Sequence, residues 1–257
     1  MDTILATEGL TKEFLGFTAV GGVSLNVRRG SIHGLIGPNG AGKTTCFNLL
    51  TKFLQPTRGT IRFDGRDITG MKPAEVARLG LVRSFQISAV FPHLTVLENV
   101  RVALQRARGR SFDFWRSDKV LGQYDARARA LLEDVGLGAH AHLLAGELPY
   151  GRKRALEIAT TLALDPVMLL LDEPTAGMTH EDVDRIVALV RRVAQGRTVL
   201  MVEHNLRVVE GLCDTITVLT RGRVLAEGDY ASVSRNPEVV AAYLGTDPAM
   251  SGAQAHG

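Results

Sequence analysis

Gly37-Pro38-Asn39-Gly40-Ala41-Gly42-Lys43-Thr44 is the stretch that decides how this chain folds. It fits Gly-x4-Gly-Lys-Thr, and it stands between the apolar run Ser31 to Ile36 and a helix-forming run that continues into Leu50. That strand, loop and helix context is the one in which such a loop binds phosphate. Glycines let backbone N–H groups wrap the phosphates, and the helix start adds positive potential. Lys43 supplies a point charge to the β- and γ-phosphates, and the Thr44 hydroxyl is left for Mg²⁺. Thr45 belongs with the phosphate-binding residues, whereas Cys46, Phe47, Leu49 and Leu50 read as packing.

Upstream, Ser24 to Val27 and Thr60 to Phe63, the latter followed by Asp64-Gly65, read as short strands with tight turns. From Val96 to Val135 the character turns helical, with a break at Gly109, Arg110 and Ser111, so residues 87–165 read as a helical insertion. Beyond it, Val167 to Leu171 and Thr198 to Val202 read as buried strands, with a helix from Glu181 to Ala194 capped by Thr179 between them. Strands alternating with helices favour a mostly parallel sheet interrupted by a helical subdomain. Residues 246–257 read as a flexible tail.

Met168-Leu169-Leu170-Leu171 ends in Asp172-Glu173, two carboxylates at the carboxyl edge of a strand. Beside a phosphate loop, Asp172 suits magnesium-bound water or Thr44, and Glu173 suits the general base that polarises an attacking water. Composition sets the bounds. Thirty Lys+Arg against 27 Asp+Glu leave a formal charge of +3, which does not imply nucleic acid. Cys46 and Cys213 lie in apolar stretches with no metal spacing and read as reduced core residues. No window of about twenty uncharged apolar residues appears, and the start has no signal-peptide pattern, so a cytosolic or peripheral protein is expected.

The phosphate loop, Gln86 after the strand Leu81 to Ser84, Leu148-Pro149-Tyr150-Gly151-Arg152, the acidic pair and His204 stand in the order of ABC cassettes. The chain resembles that family over residues 4–245. The resemblance implies a single α/β P-loop NTPase domain over 1–245. Its parts would be a mostly parallel core, an N-terminal antiparallel β-subdomain and the helical insertion. It also implies ATP with Mg²⁺, and hydrolysis of the γ-phosphate. By resemblance Gln86 bridges magnesium, water and the membrane partner, and His204 contacts the γ-phosphate. Phe14 stacks on adenine, with Phe17 as a substitute, and Thr175-Ala176-Gly177-Met178 forms the dimer-contact loop.

The commonest family signature is Leu-Ser-Gly-Gly-Gln. Here Pro149 replaces serine, Tyr150 a glycine and Arg152 glutamine, while Gly151 keeps backbone access. The segment's N–H groups and helix dipole survive, with proline in the first helical turn. Arg152 either compensates with charge or points to solvent. By resemblance, Tyr150 and Gly151 serve the nucleotide of the partner cassette.

The Tyr-Gly signature, Glu203-His204-Asn205 and the ending Asn236-Pro237-Glu238 through Tyr243-Leu244-Gly245 resemble the ATPases of branched-chain amino-acid importers. The resemblance implies integral membrane permease subunits and a second ABC ATPase, as a heterodimer or homodimer. A substrate-binding protein would act indirectly, and the cassette would sit on the cytoplasmic side of the inner membrane. Alternatives are a lipid or polysaccharide exporter and a soluble non-transport ABC ATPase. The basic stretch Arg101 to Arg129 reads as a solvated helix face, with contact to acidic loops or anionic headgroups as the alternative, and Phe112, Phe114 and Trp115 read as packing.

Overall fold

The computed structural model describes residues 2–84, 90–107 and 122–244. The described residues of Met1–Leu79 and Thr198–Gly257 form one compact unit, and those of Gly80–Arg197 form another. The first unit opens with β1 (Thr3–Phe14) and β2 (Phe17–Val23), an antiparallel hairpin closed at Phe14↔Phe17. Its two-residue loop, Leu15 and Gly16, has φ of 44° and 86°, the left-handed pair that suits the twist of a tight hairpin. β3 (Asn26–Arg28) and β5 (Arg58–Phe63) also pair antiparallel with β1, and β6 (Arg66–Asp67) follows β5 through Asp64-Gly65. Buried Thr7 is satisfied on both counts, donating to the Val23 carbonyl at 3.0 Å and accepting from the Leu25 amide at 2.9 Å. Between these strands lie β4 (Ile32–Ile36), buried throughout, and α1 (Lys43–Leu50), while α2 (Pro73–Arg78) closes the segment.

The second unit holds β7 (Leu81–Arg83), then α3 (Val96–Ala107), α4 (Asp125–Asp134) and α5 (Tyr150–Leu162), then β8 (Met168–Asp172) and α6 (His180–Val193). β7 and β8 pair in parallel, Leu81↔Met168 through Arg83↔Leu170. A reciprocal cap starts α3. The Thr95 amide donates to Glu98 Oε2 at 2.7 Å, and the Glu98 amide returns to Thr95 Oγ1 at 3.2 Å. Within the basic stretch, Arg101 pairs with Asp125 at 2.5 Å, so this guanidinium serves helix packing. The break at Gly109 to Ser111 and the aromatics Phe112, Phe114 and Trp115 lie outside the described residues, as do residues 245–257.

The first unit is completed by β9 (Thr198–Val202), α7 (Leu206–Leu212), β10 (Thr215–Thr220), β11 (Arg223–Gly228), α8 (Tyr230–Ser234) and α9 (Pro237–Leu244). β9 and β10 pair in parallel with the two edges of β4, and β11 turns back antiparallel on β10. A strand enclosed this way must be apolar on both faces, and Ile32, Leu35 and Ile36 are. The polar member, His33, is 1% exposed and shares a 2.8 Å hydrogen bond with Thr217 Oγ1. Both cysteines are free. Cys46 is buried, but Cys213, expected in the core, is only half-buried. Burial pushes both thiols up to about 12. Among the described residues no helix is long and apolar enough to cross a membrane.

Candidate nucleotide site

The phosphate loop leaves β4 at Gly37 and enters α1 at Lys43. Gly37 has φ 152°, and a Cβ there would lie 2.2 Å from the Leu219 carbonyl oxygen. Gly42 has φ 99°, and a Cβ would lie 2.6 Å from the Ala19 carbonyl oxygen. Both positions therefore demand glycine on space as well as on backbone conformation. The Gly222 amide pins the loop from outside by donating to the Ala41 carbonyl at 2.9 Å. Lys43 is buried, its Nζ donating to the Gly37 and Pro38 carbonyls at 2.6 and 3.0 Å. The ammonium thus sits at the loop's own mouth. No acidic residue occupies the first turn of α1, so its dipole is not neutralised there. Thr44 is exposed and Thr45 half-buried on the same turn. Cramped glycines, an unopposed helix start and a buried ammonium fit a polyphosphate.

Beneath the loop, Tyr243 of α9 packs with Ile36, Val218 and Val239. Burial pushes its phenol up to about 12, with the backbone of Gly37 acting in the opposite sense. The sequence reading used Tyr243 only as part of a family ending; the structure makes it a prop for the first loop residue.

In the second unit, β8 ends at Asp172, which is 2% exposed, and Glu173 follows half-buried. Sequence alone left the Asp172 carboxylate to magnesium or Thr44. In the structure the carboxylate pairs with the Arg83 guanidinium, itself 10% exposed at the end of β7, a partner the sequence did not reveal. The Asp172 carbonyl is held too, accepting from Arg154 Nη2 of α5 at 2.7 Å, and Arg154 Nη1 donates to Glu157 Oε2 at 2.7 Å. Glu173 has φ 44°, a left-handed backbone that costs a non-glycine residue about 1–3 kcal/mol. A hydrogen bond from a charged donor contributes about 1.5–3 kcal/mol, so one such bond to the neighbouring carbonyl is of the size needed to offset that strain. After Glu173, Thr175 to Met178 form a turn with Gly177 at φ 72° and open space around it.

The signature segment opens α5. Pro149 is the N-cap (φ −57°, ψ 156°) rather than a first-turn residue, and no side chain caps the helix. The first N–H groups of α5 therefore have no side-chain acceptor at the N-cap. Gly151 is buried, and a Cβ there would lie 2.9 Å from the Asp182 carboxylate of α6. Its lack of a side chain permits the close approach of the two helices. Tyr150 is 60% exposed, and Arg152 is exposed as well.

His204 follows β9 with its imidazole exposed, while Glu203 beside it is fully buried. The Glu203 carboxylate accepts from the His204 and Asn205 amides at 3.0 and 3.2 Å, and Asn205 caps α7 through the Arg207 amide at 3.1 Å. Glu203 thereby fixes the turn that carries the histidine, a role missed in the sequence, where it read only as part of a tripeptide. At the other end of the first unit, Phe14 is 42% and Phe17 67% exposed, side by side across the β1–β2 turn. The Lys12 ammonium lies 5.1 Å from the centre of the Phe14 ring. Gln86 lies outside the described residues.

A family model described as ABC transporter matches residues 20–176, and one described as branched-chain amino acid ATP-binding cassette transporter matches residues 223–249. Over 252 residues the chain is 41% identical to the high-affinity branched-chain amino acid transport ATP-binding protein BraF of Pseudomonas aeruginosa, covering 94% of this chain and 98% of that one. The corresponding protein LivG of Escherichia coli is 39% identical over 251 residues, with 94% and 98% covered. A crystal structure of an ABC transporter's ATP-binding cassette in its ADP conformation matches with a TM-score of 0.83 at 32% identity, covering 95% of this chain and 100% of that one. With its α/β fold and phosphate loop, the chain belongs to the ABC transporter family as an ATP-binding cassette.

Proposed function

We propose that this cassette hydrolyses ATP to energise the uptake of branched-chain or other hydrophobic amino acids, as a peripheral subunit on the cytoplasmic side of the inner membrane. The observation that carries the reading is 41% identity to a branched-chain amino-acid transport ATPase over 94% of the chain. The second family model, over residues 223–249, points to the same branch.

In this reading the loop amides from Gly37 to Gly42 and the Lys43 ammonium bind the β- and γ-phosphates, and Phe14, or Phe17 beside it, stacks on adenine. Thr44 and Asp172 offer the hard oxygen donors that suit Mg²⁺, with Gln86 as a further ligand. Mg²⁺, when bound, neutralises charge that develops on the phosphates. Glu173 accepts a proton from water as its oxygen attacks the γ-phosphorus, and the bond to the β–γ bridging oxygen breaks to leave ADP. His204 donates to the transferring phosphoryl group and orients it. Tyr150 and Gly151 serve the nucleotide of a second ABC ATPase, either a different chain or a copy of this one. Permease subunits carry the substrate, delivered by a substrate-binding protein.

The test is to purify the tagged chain from detergent-solubilised membranes, identify its companions by mass spectrometry, and return the complex to vesicles. Two permease subunits and a second ATPase are expected, with ATP-dependent accumulation of labelled leucine, isoleucine and valine. Recovery with no membrane protein, or vesicles that export these amino acids, would overturn the reading.

A further inference from the structure

We infer that Arg154 is a positioning residue for hydrolysis, tying α5 to the Asp172–Glu173 peptide and holding Glu173 in the backbone geometry from which it acts. The inference rests on the reading of Glu173 as general base. Arg154 uses both arms of its guanidinium. One reaches Glu157 on its own helix at 2.7 Å, and the other crosses to the Asp172 main-chain carbonyl at 2.7 Å. The ion pair is buried, with side chains 7% and 9% exposed.

The carbonyl that Arg154 holds belongs to the peptide bond whose nitrogen is that of Glu173. The left-handed φ of 44° is the rotation about the very next bond, from that nitrogen to the Glu173 Cα. Turning this peptide therefore swings the Glu173 carboxylate, and Arg154 is the side chain that resists the turn. A helix-stabilising pair needs no such arrangement, because Glu157 alone, one turn away, would satisfy the charge. The second arm places the strained residue under the control of α5, whose first turn carries Tyr150 and Gly151. Movement of that turn is thus transmitted to the base by one side chain. Arg83 pairs with the Asp172 carboxylate, one side chain away from the peptide that Arg154 holds.

The experiment uses the purified full-length chain. In R154M/E157L the buried pair is replaced by apolar groups of similar volume, a change that leaves folds close to their original stability. A thermal midpoint within a few degrees of wild type is expected, with unchanged affinity for a fluorescent ATP analogue and unchanged KM. The expected kcat is lower by at least about tenfold, since a displacement on the order of 1 Å is enough for a loss of that kind. A kcat within twofold of wild type in the folded variant overturns the inference. If that variant does not fold, R154K decides, because it keeps the charge but loses the fork. A lowered kcat at unchanged KM supports the inference, and a wild-type kcat overturns it. E173Q is run beside them. Retained turnover there would remove the base reading itself, a result separate from the other two.

Discussion

Glu173, the proposed base, has an awkward backbone, and the residues around it show what makes that tenable. Its neighbours Asp172, Arg83 and Arg154 are almost wholly buried, so the peptide is clamped from two sides while the Glu173 side chain stays half-exposed. Replacing Glu173 with Gln preserves shape and removes the basic oxygen. Nucleotide affinity is expected to hold while turnover falls by about 10²–10⁴, the usual contribution of a general base. Release of labelled phosphate in a single turnover measures it, and undiminished release rules the role out. The strand, loop and helix setting of the phosphate loop was legible in the sequence because it sits in a short contiguous motif. Arg83 and Arg154 were not. Arg83 meets an aspartate 89 positions away, and Arg154 meets a main-chain oxygen, which carries no residue identity to recognise.

Elements were legible where their pattern is regular. α6 buries Ile186, Leu189, Val190 and Val193, a helical stripe, and Thr179 caps it by accepting from the Asp182 amide at 3.3 Å. The expected helix and the observed one differ by a single residue at each end. Thr179→Ala should cost about 1 kcal/mol, read as a lower midpoint in urea, because the helix start loses its side-chain acceptor. A midpoint unchanged within error would mean that water replaces the hydroxyl at no cost. β1 is the opposite case. Irregularities between Leu10 and Lys12 and again between Lys12 and Glu13 interrupt its pairing with β2, so its burial does not alternate in the way that reveals a strand. β3, with three residues, is too short for any period, and its expected start at Ser24 moved to Asn26.

At the scale of the whole molecule, the sheet around β4 carries both a stability switch and a constraint on assembly. Burial pushes the His33 imidazole down to about 4, with Arg28 adding to the effect. The unfolded chain therefore takes up this proton near pH 6.5 while the folded one resists until about pH 4. Stability from this group is complete above about pH 6.5 and is lost as pH falls towards 4, amounting to about 2 kcal/mol at pH 5. Urea titrations at pH 7.5 and pH 5 should show that loss in wild type and a smaller one in His33→Leu. Equal losses would place the sensitivity elsewhere. Strand and helix alternation made the parallel pairing of β4 legible, but not which strands flank it, since β9 and β10 begin only at Thr198 and Thr215. Ribosomes make chain from one end, at roughly 5–20 residues per second. The nascent phosphate loop consequently emerges on a strand with both edges bare, and waits on the order of ten seconds or more for its neighbours to be translated. During that wait β4 is a hydrophobic edge for chaperones to shield, and a message cut short before Thr198 yields a loop with no sheet to stand on.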